Sequence, residues 1–248
     1  PNAGLPQNVD GQAVYPLGPD EFAREMVEYV ERFGLNVVGG CCGTTPAHIR
    51  ALVSRLGSRK PRARAAKPLA LVSSGITTAA LVQNPPPMLI GERLNAQGSK
   101  KMKELLLAED YDGIAALGRE QIDGGAHTLD ICVAMTERRD EAYLMAQVVR
   151  KLSQTVEAPL VIDTTEAEVL EVALEASPGR VIVNAVNMEN GRQRLDAMLP
   201  LVRDYGAATI ALTIDEHGMA RTADRKLEVA RKIYDIATGE YGLLPDAL

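Results

Sequence analysis

The chain has 248 residues, 46% of them apolar and 24% charged, with a formal charge of -6, the balance of an ordinary globular protein rather than a disordered or fibrous one. Acidic and basic residues are mixed along it, which gives no basic stripe for nucleic acid and no polybasic membrane anchor. No apolar run approaches the roughly twenty residues of a membrane span and no leader pattern opens the chain, so a cytoplasmic protein whose partners are small molecules or protein modules is expected.

From Asp20 to Phe33 the apolar residues Phe22, Met26, Val27, Val30 and Phe33 recur at helical spacing after a Pro19-Asp20 start. Leu35 to Val38 reads as a short buried strand running into Gly39-Gly40-Cys41-Cys42-Gly43. A second helix is expected from Thr45-Pro46, with the hydroxyl capping free N–H groups and proline in the first helical position. Adjacent cysteines close a disulfide poorly, which favours reduced thiols and metal or redox chemistry.

Residues 58–67 hold five basic side chains and little that is apolar, and Pro85-Pro86-Pro87 stiffens the end of this stretch. The expected organisation is a first unit over 1–57, a linker over 58–87 and a second unit over 88–248. In the second, apolar runs near Leu89-Ile90, His127 to Ile131, Leu160 to Ile162, Arg180 to Val183 and Ala208 to Leu212 alternate with amphipathic stretches, the pattern of a parallel sheet. Thr165 with Glu168 reads as a capping box for one connecting helix, which Pro178-Gly179 ends. A last helix covers about 222–238. Five βα units are fewer than the eight of a (β/α)₈ barrel; the sheet is either open and doubly wound or a barrel cut short.

In parallel α/β folds the ligand site lies at the carboxyl ends of the strands. The polar residues there are Glu92, Arg93 and Asn95; Asp130 and Cys132; Asp163, Thr164 and Thr165; Asn184 and Asn187; Thr213 and Asp215. Carboxylates and carboxamides in that number suit a neutral heterocycle with several N–H donors. Each has a plainer reading: Asp163 and Thr165 as helix caps, Glu92 and Arg93 as an internal ion pair, Asn184 and Asn187 as turn residues. Cys132, remote from the other thiols, reads as a small buried apolar residue, His127 and His217 as structural, and His48 as a solvated residue of the second helix's first turn. Cys41 and Cys42, in a glycine-rich turn ahead of a helix, are the kind of thiol pair that ligates metal, although two ligands do not complete a zinc site.

The stretches Pro1 to Pro6 and Val38 to Ile49 resemble the end of homocysteine S-methyltransferase barrels, in which paired cysteines and an earlier one hold zinc. Gly91 to Asn95, Gly125 to Asp130, Ile162 to Thr165 and Val183-Asn184 resemble the pterin-binding barrel of the cobalamin-dependent methionine synthase family and of corrinoid methyltransferases. The resemblance covers nearly the whole chain and implies two (β/α)₈ pieces: the end of a homocysteine-binding barrel and the first five βα units of a pterin-binding one. It implies methyl transfer from methyltetrahydrofolate through cobalamin, held by a further domain or protein, to a homocysteine thiolate on zinc, giving methionine and tetrahydrofolate. Carried over by position, Cys41 and Cys42 are zinc ligands, while Glu92, Asn95, Asp130, Asp163 and Asn184 are pterin contacts. The third zinc cysteine, three βα units and the cobalamin domain of the family are expected outside the sequence, leaving this piece inactive alone. Cys132 stands where the family often has Asn. A pterin-dependent corrinoid methyltransferase or dihydropteroate-synthase relative, or a non-catalytic folate-binding module, accounts for the strand ends but gives no reason for Gly-Gly-Cys-Cys.

Overall fold

The computed structural model describes residues 1–63 and 70–248 and divides into two compact units, Pro1–Lys67 and Pro68–Leu248. In the first, a hairpin of β1 (Gln7–Val9) and β2 (Gln12–Val14) precedes helices α1 (Pro19–Phe33) and α2 (Pro46–Leu56). The helices bury Phe22, Ala23, Met26 and Leu52 between them, and the Phe22 ring meets His48 edge-on with centroids 5.5 Å apart. Pro19 and Pro46 both occupy first-turn positions, where a missing N–H costs nothing.

Leu35 to Val38 is not a strand. No neighbouring strand pairs with it among the described residues, so its backbone gains no ladder, and Val37 stays 90% exposed.

In the second unit, hairpin strands β3 (Leu71–Ser73) and β4 (Thr78–Ala80) lead to β5 (Ile90–Asn95), α3 (Lys100–Leu107), α4 (Tyr111–Asp123), β6 (Thr128–Cys132), α5 (Glu141–Thr155), β7 (Leu160–Asp163), α6 (Ala167–Ala176), β8 (Ile182–Val186), α7 (Gln193–Asp204) and β9 (Ala208–Ala211). A two-residue ribbon, β10 (Ile214–Asp215) with β11 (Gly218–Met219), then precedes α8 (Ala223–Asp235). Strands β5 to β9 pair in parallel in chain order, so all five expected strands form, as five of the eight of a (β/α)₈ barrel.

Alternation along the strands sorts their side chains between two environments. Leu129, Ile131, Leu160, Ile162 and Val183 join the core under the helices. The opposite face holds Val161, Ile182 and Ala208 near the amino ends and Asp130, Cys132, Asp163 and Asn184 toward the carboxyl ends. The inner column therefore runs from apolar to polar.

The apolar end is closed by part of the stretch expected to be a linker. Residues 64–69 of that stretch lie outside the described residues, but Val72 on β3 is fully buried against Val161, Ile182 and Ala208. The hairpin is bonded to the segment just ahead of β8: Ser73 N–H donates to Arg180 O at 2.8 Å, Arg180 N–H to Ser73 Oγ at 2.9 Å and Arg180 Nη1 to Leu71 O at 3.1 Å. A Cβ on Gly179 would stand 2.3 Å from Ser73 O, so only glycine permits this approach.

The hairpin is thus core, and Val72→Ala should cost about 2 kcal/mol from lost methyl burial and the cavity left behind. Urea denaturation checks this; a loss under about 0.5 kcal/mol, the range of an ordinary surface substitution, would mean that the hairpin is a detachable flap.

Candidate functional site

The carboxyl ends of β5 to β8 gather four of the residues expected to contact a heterocycle, Asn95, Asp130, Asp163 and Asn184, while Glu92 lies within β5 and is exposed. Asn95 on β5 is level with Cys132 on β6, and Asp163 on β7 is level with Asn184 on β8. Asn95 Nδ2 donates to Asp163 Oδ2 at 3.0 Å, passing over β6. Asn184 Nδ2 donates to Asp130 Oδ1 at 3.1 Å, passing over β7. The two bonds interleave, each tying next-but-one strands.

Their polarity follows from the groups. An ionised carboxylate only accepts, so each carboxamide must turn its NH₂ toward it. Asn95 Oδ1 is also committed, accepting from Gln97 N–H at 2.9 Å and Gly98 N–H at 3.3 Å. Asn95 therefore holds Asp163 and the loop into α3. Asn184 keeps its carbonyl oxygen for the site, and Asp163 its second carboxylate oxygen. A cleft of about 660 Å³ on the Asn95 side is lined by Glu92, Arg93, Asn95, Gln97, Gly98 and Ser99.

Burial raises the pKa of Asp130 to about 6, against the lowering effect of the Asn184 bond and with help from the charges of Asp163 and Glu92. Asp163 is raised too, first by burial, while bonds from Asn95 and Cys132 pull it down and Glu92 pushes it up. Glu141, in the first turn of α5, is raised by burial and lies near Asp163; its Oε1 accepts from Thr164 Oγ1 at 3.3 Å. Glu141 was invisible in the strand pattern because it comes from a helix start.

Other expected residues stand apart from this cluster. Arg93 pairs with Glu120 at 3.5 Å rather than with Glu92. Asn187 caps its own turn, accepting from Glu189 N–H at 3.1 Å, and Asp215 is buried against Arg225 and accepts from His217 N–H. Thr165 does not cap α6, which starts after Glu166; Thr164 Oγ1 instead accepts Glu166 N–H at 3.2 Å. His127 Nδ1 accepts from Leu89 N–H at 2.9 Å, a structural role. Cys132 is buried as expected, yet it is not merely apolar filling, because its thiol is one of the groups that lower the pKa of the Asp163 carboxyl.

In the first unit Cys41 and Cys42 are exposed, with sulfurs 3.8 Å apart. That is the edge of a tetrahedron with Zn–S bonds of about 2.3 Å, so the pair fits two corners of a zinc centre. The amino-terminal segment holds the turn: Cys41 N–H donates to Pro1 O at 2.8 Å, Cys42 N–H to Asn2 Oδ1 at 3.2 Å, and Ala3 N–H to Cys42 O at 3.0 Å. Gly43 has φ +78°, and a Cβ there would fall 2.1 Å from the Tyr15 ring.

His48 is buried rather than solvated. Its Nδ1 accepts from Thr45 N–H at 3.1 Å, the side-chain half of a capping box, which leaves the proton on Nε2 to donate to Leu17 O at 2.9 Å. Both nitrogens are used, so His48 is no spare ligand. No group of three or more metal-ligating side chains occurs among the described residues, and no helix there is long and apolar enough to cross a membrane.

The family described as pterin binding enzyme matches residues 91–248, and the homocysteine S-methyltransferase family matches residues 1–56. Methionine synthase of Mycobacterium tuberculosis (strain ATCC 25618 / H37Rv) is 41% identical over 246 residues, 98% of this chain and 21% of that protein. Methionine synthase of Mycobacterium leprae (strain TN) is 41% identical over 258 residues, 100% of this chain and 21% of the relative. The chain spans about a fifth of the length of these relatives. A dihydropteroate synthase of Xanthomonas albilineans solved with 4-aminobenzoic acid shares the fold at TM-score 0.51 and 21% identity, over 72% of this chain and 62% of its own. Another structure of that enzyme gives 0.50 and 20%, over 73% and 63%.

Because its pKa is raised, from 3.8 to about 6, Asp130 binds its proton more tightly folded than unfolded. Its effect on stability is best below about pH 4 and worsens as pH climbs to about 6, by at most about 3 kcal/mol at 1.36 kcal/mol per unit. Asp130→Asn, which removes the titration, should gain on the parent progressively from pH 4 to 7. Paired urea melts across that range check this; a difference independent of pH would refute the assignment.

Proposed function

This chain belongs to the pterin binding enzyme family, and from that premise we propose that its second unit binds methyltetrahydrofolate as part of a cobalamin-dependent methionine synthase. The observation that carries the proposal is the arrangement of free acceptors left by the crossed bonds. Asp163 and Asn184, side by side, each leave an acceptor oxygen to a ligand. The pyrimidine edge of a pterin presents an exocyclic amine and a ring N–H side by side, the complement of such a surface. Asp163 takes that pair, Asn184 Oδ1 accepts a further N–H, and Glu92 and Asp130 add negative potential around the ring. Asn95 acts by holding Asp163.

The first unit supplies the acceptor side of methyl transfer. Cys41 and Cys42 are two of the thiolates that would hold zinc, with the remaining ligand from elsewhere in a longer protein. Zinc at that position would act as a Lewis acid, favouring the thiolate of homocysteine at neutral pH. The amino-terminal bonds to the turn hold the two sulfurs at the separation the metal requires. A cobalamin-carrying domain or protein would relay the methyl group, giving methionine and tetrahydrofolate. Reduced, exposed cysteines suit a cytoplasmic setting.

Asp163→Asn keeps size but replaces an acceptor with a donor facing the pterin amine, so methyltetrahydrofolate affinity should fall roughly tenfold or more. Calorimetry on a folded variant tests this, and binding within about twofold of the parent returns Asp163 to a purely structural role.

Zinc taken up by this chain alone should be substoichiometric and lost to a chelator, since a zinc centre takes at least three protein ligands. One chelator-resistant zinc per chain, measured by atomic absorption after purification, would contradict that.

A further inference from the structure

The strand-end thiol of Cys132 has a place in the site that the family resemblance does not give it. The Asn95 to Asp163 bond passes over β6, and the β6 residue level with Asn95 is Cys132. Ile131 is level with Ile162, so the next step along both strands puts Cys132 beside Asp163. In-register neighbours of a parallel sheet point to the same face, so this side chain faces the inner column beneath the bond. It is 4% exposed, with the Ala134 backbone N–H and the Asp163 charge among the influences on its thiol. A buried S–H beside an acceptor-only carboxylate on the same face has that carboxylate as its acceptor.

We infer that Cys132 is a positioning residue, an S–H donor that holds the Asp163 carboxylate so that its outer oxygen faces the pterin edge; this rests on the proposed role of Asp163 as the pterin-binding carboxylate. Burial pushes the Cys132 thiol up to about 12, so it remains a donor at every working pH and is a poor nucleophile. A thiol is a weak donor. It can restrain the carboxylate without competing strongly with a ligand's N–H groups for the same oxygens, which a carboxamide at this position would do more effectively.

Alanine and serine at position 132 separate hydrogen bonding from space filling. The two differ by one hydroxyl, so a packing role predicts that they behave alike. As a donor to Asp163, the cysteine is replaced by serine but not by alanine. The first readout needs no ligand: the carboxyl ¹³C titration of Asp163 in the 248-residue chain, assigned with Asp163→Asn. Besides position 132, the ionisable groups around this carboxylate are Glu92 from β5, Asp130 from β6 and Glu141 from α5. They are the same in both variants and cancel in the comparison. Cys132→Ala should move the Asp163 midpoint to higher pH, because a donor to the ionised form is lost, and Cys132→Ser should restore it.

The second readout is methyltetrahydrofolate binding, where Cys132→Ala should lose about three- to tenfold and Cys132→Ser less than twofold. Equal midpoints in the two variants, whether shifted or not, overturn the positioning role. A shift restored by serine, with folate affinity the same in both variants, leaves the hydrogen bond standing and overturns the assignment of Asp163 to the pterin.

Discussion

The strand-end site depends on one constraint: the inner face of the sheet must hold carboxylates away from bulk water without cationic partners. Asp130 is 1% exposed, and no lysine or arginine bonds to it or to Asp163 among the ion pairs of the described residues. A buried charge left alone neutralises or destabilises the fold. The crossed carboxamide bonds from Asn95 and Asn184 are the compensation. It is partial, as the raised pKa of Asp130 records. A cation would stabilise the carboxylates further but would occupy the oxygens that a ligand needs. Carboxamides satisfy one oxygen and leave the other.

The rest of the second unit follows from keeping that polar layer in place. It stands on an apolar layer of Val161, Ile182 and Ala208, sealed by Val72. The helices on the outer face bury Leu129, Ile131, Leu160 and Ile162 from the same strands. Each strand is therefore pinned on both faces, and a one-residue slip would exchange Asp130 or Asp163 for an isoleucine. Register is fixed from outside by packing, and the inner layer inherits it. That is how loops of ordinary length bring side chains from four strands to hydrogen-bonding distance.

Much of this was legible in the sequence because it is periodic. Apolar runs of strand length gave all five parallel strands, and the polar residues following them gave the cluster of Asn95, Asp130, Asp163 and Asn184. What failed was whatever depends on neighbours rather than on local pattern. Leu35 to Val38 has strand composition, but a strand is made by its partner. The hairpin at Leu71–Ser73 and Thr78–Ala80 is too short for a period-2 signal and hides in basic, proline-rich surroundings. Thr165 matched a capping-box spacing, yet the turn after Asp163 needed one more residue before α6 began, and Thr164 took the bond. His48 was placed correctly in the first turn of α2, but nothing local shows that Leu17 O waits for its ring.

The two thiols and the strand-end cluster illustrate opposite ways of preparing a site. Within the cluster Asn95, Asp163, Asn184 and Asp130 are oriented by bonds among themselves, so their acceptors are fixed before any ligand arrives, and little ordering remains to be done on binding. The thiols are oriented only through their main chain, held by the backbone of Pro1 and Ala3 and the side chain of Asn2, and they are exposed. His48 shows why a nearby residue cannot complete them. A neutral imidazole has one acceptor nitrogen, and here it caps α2 while the other nitrogen joins Leu17 to the helix. Freeing it for a metal would leave Thr45 N–H and Leu17 O without their partners and disturb the packing of Phe22 between the helices. The fold of the first unit thus assigns its histidine to structure and leaves its thiols to chemistry.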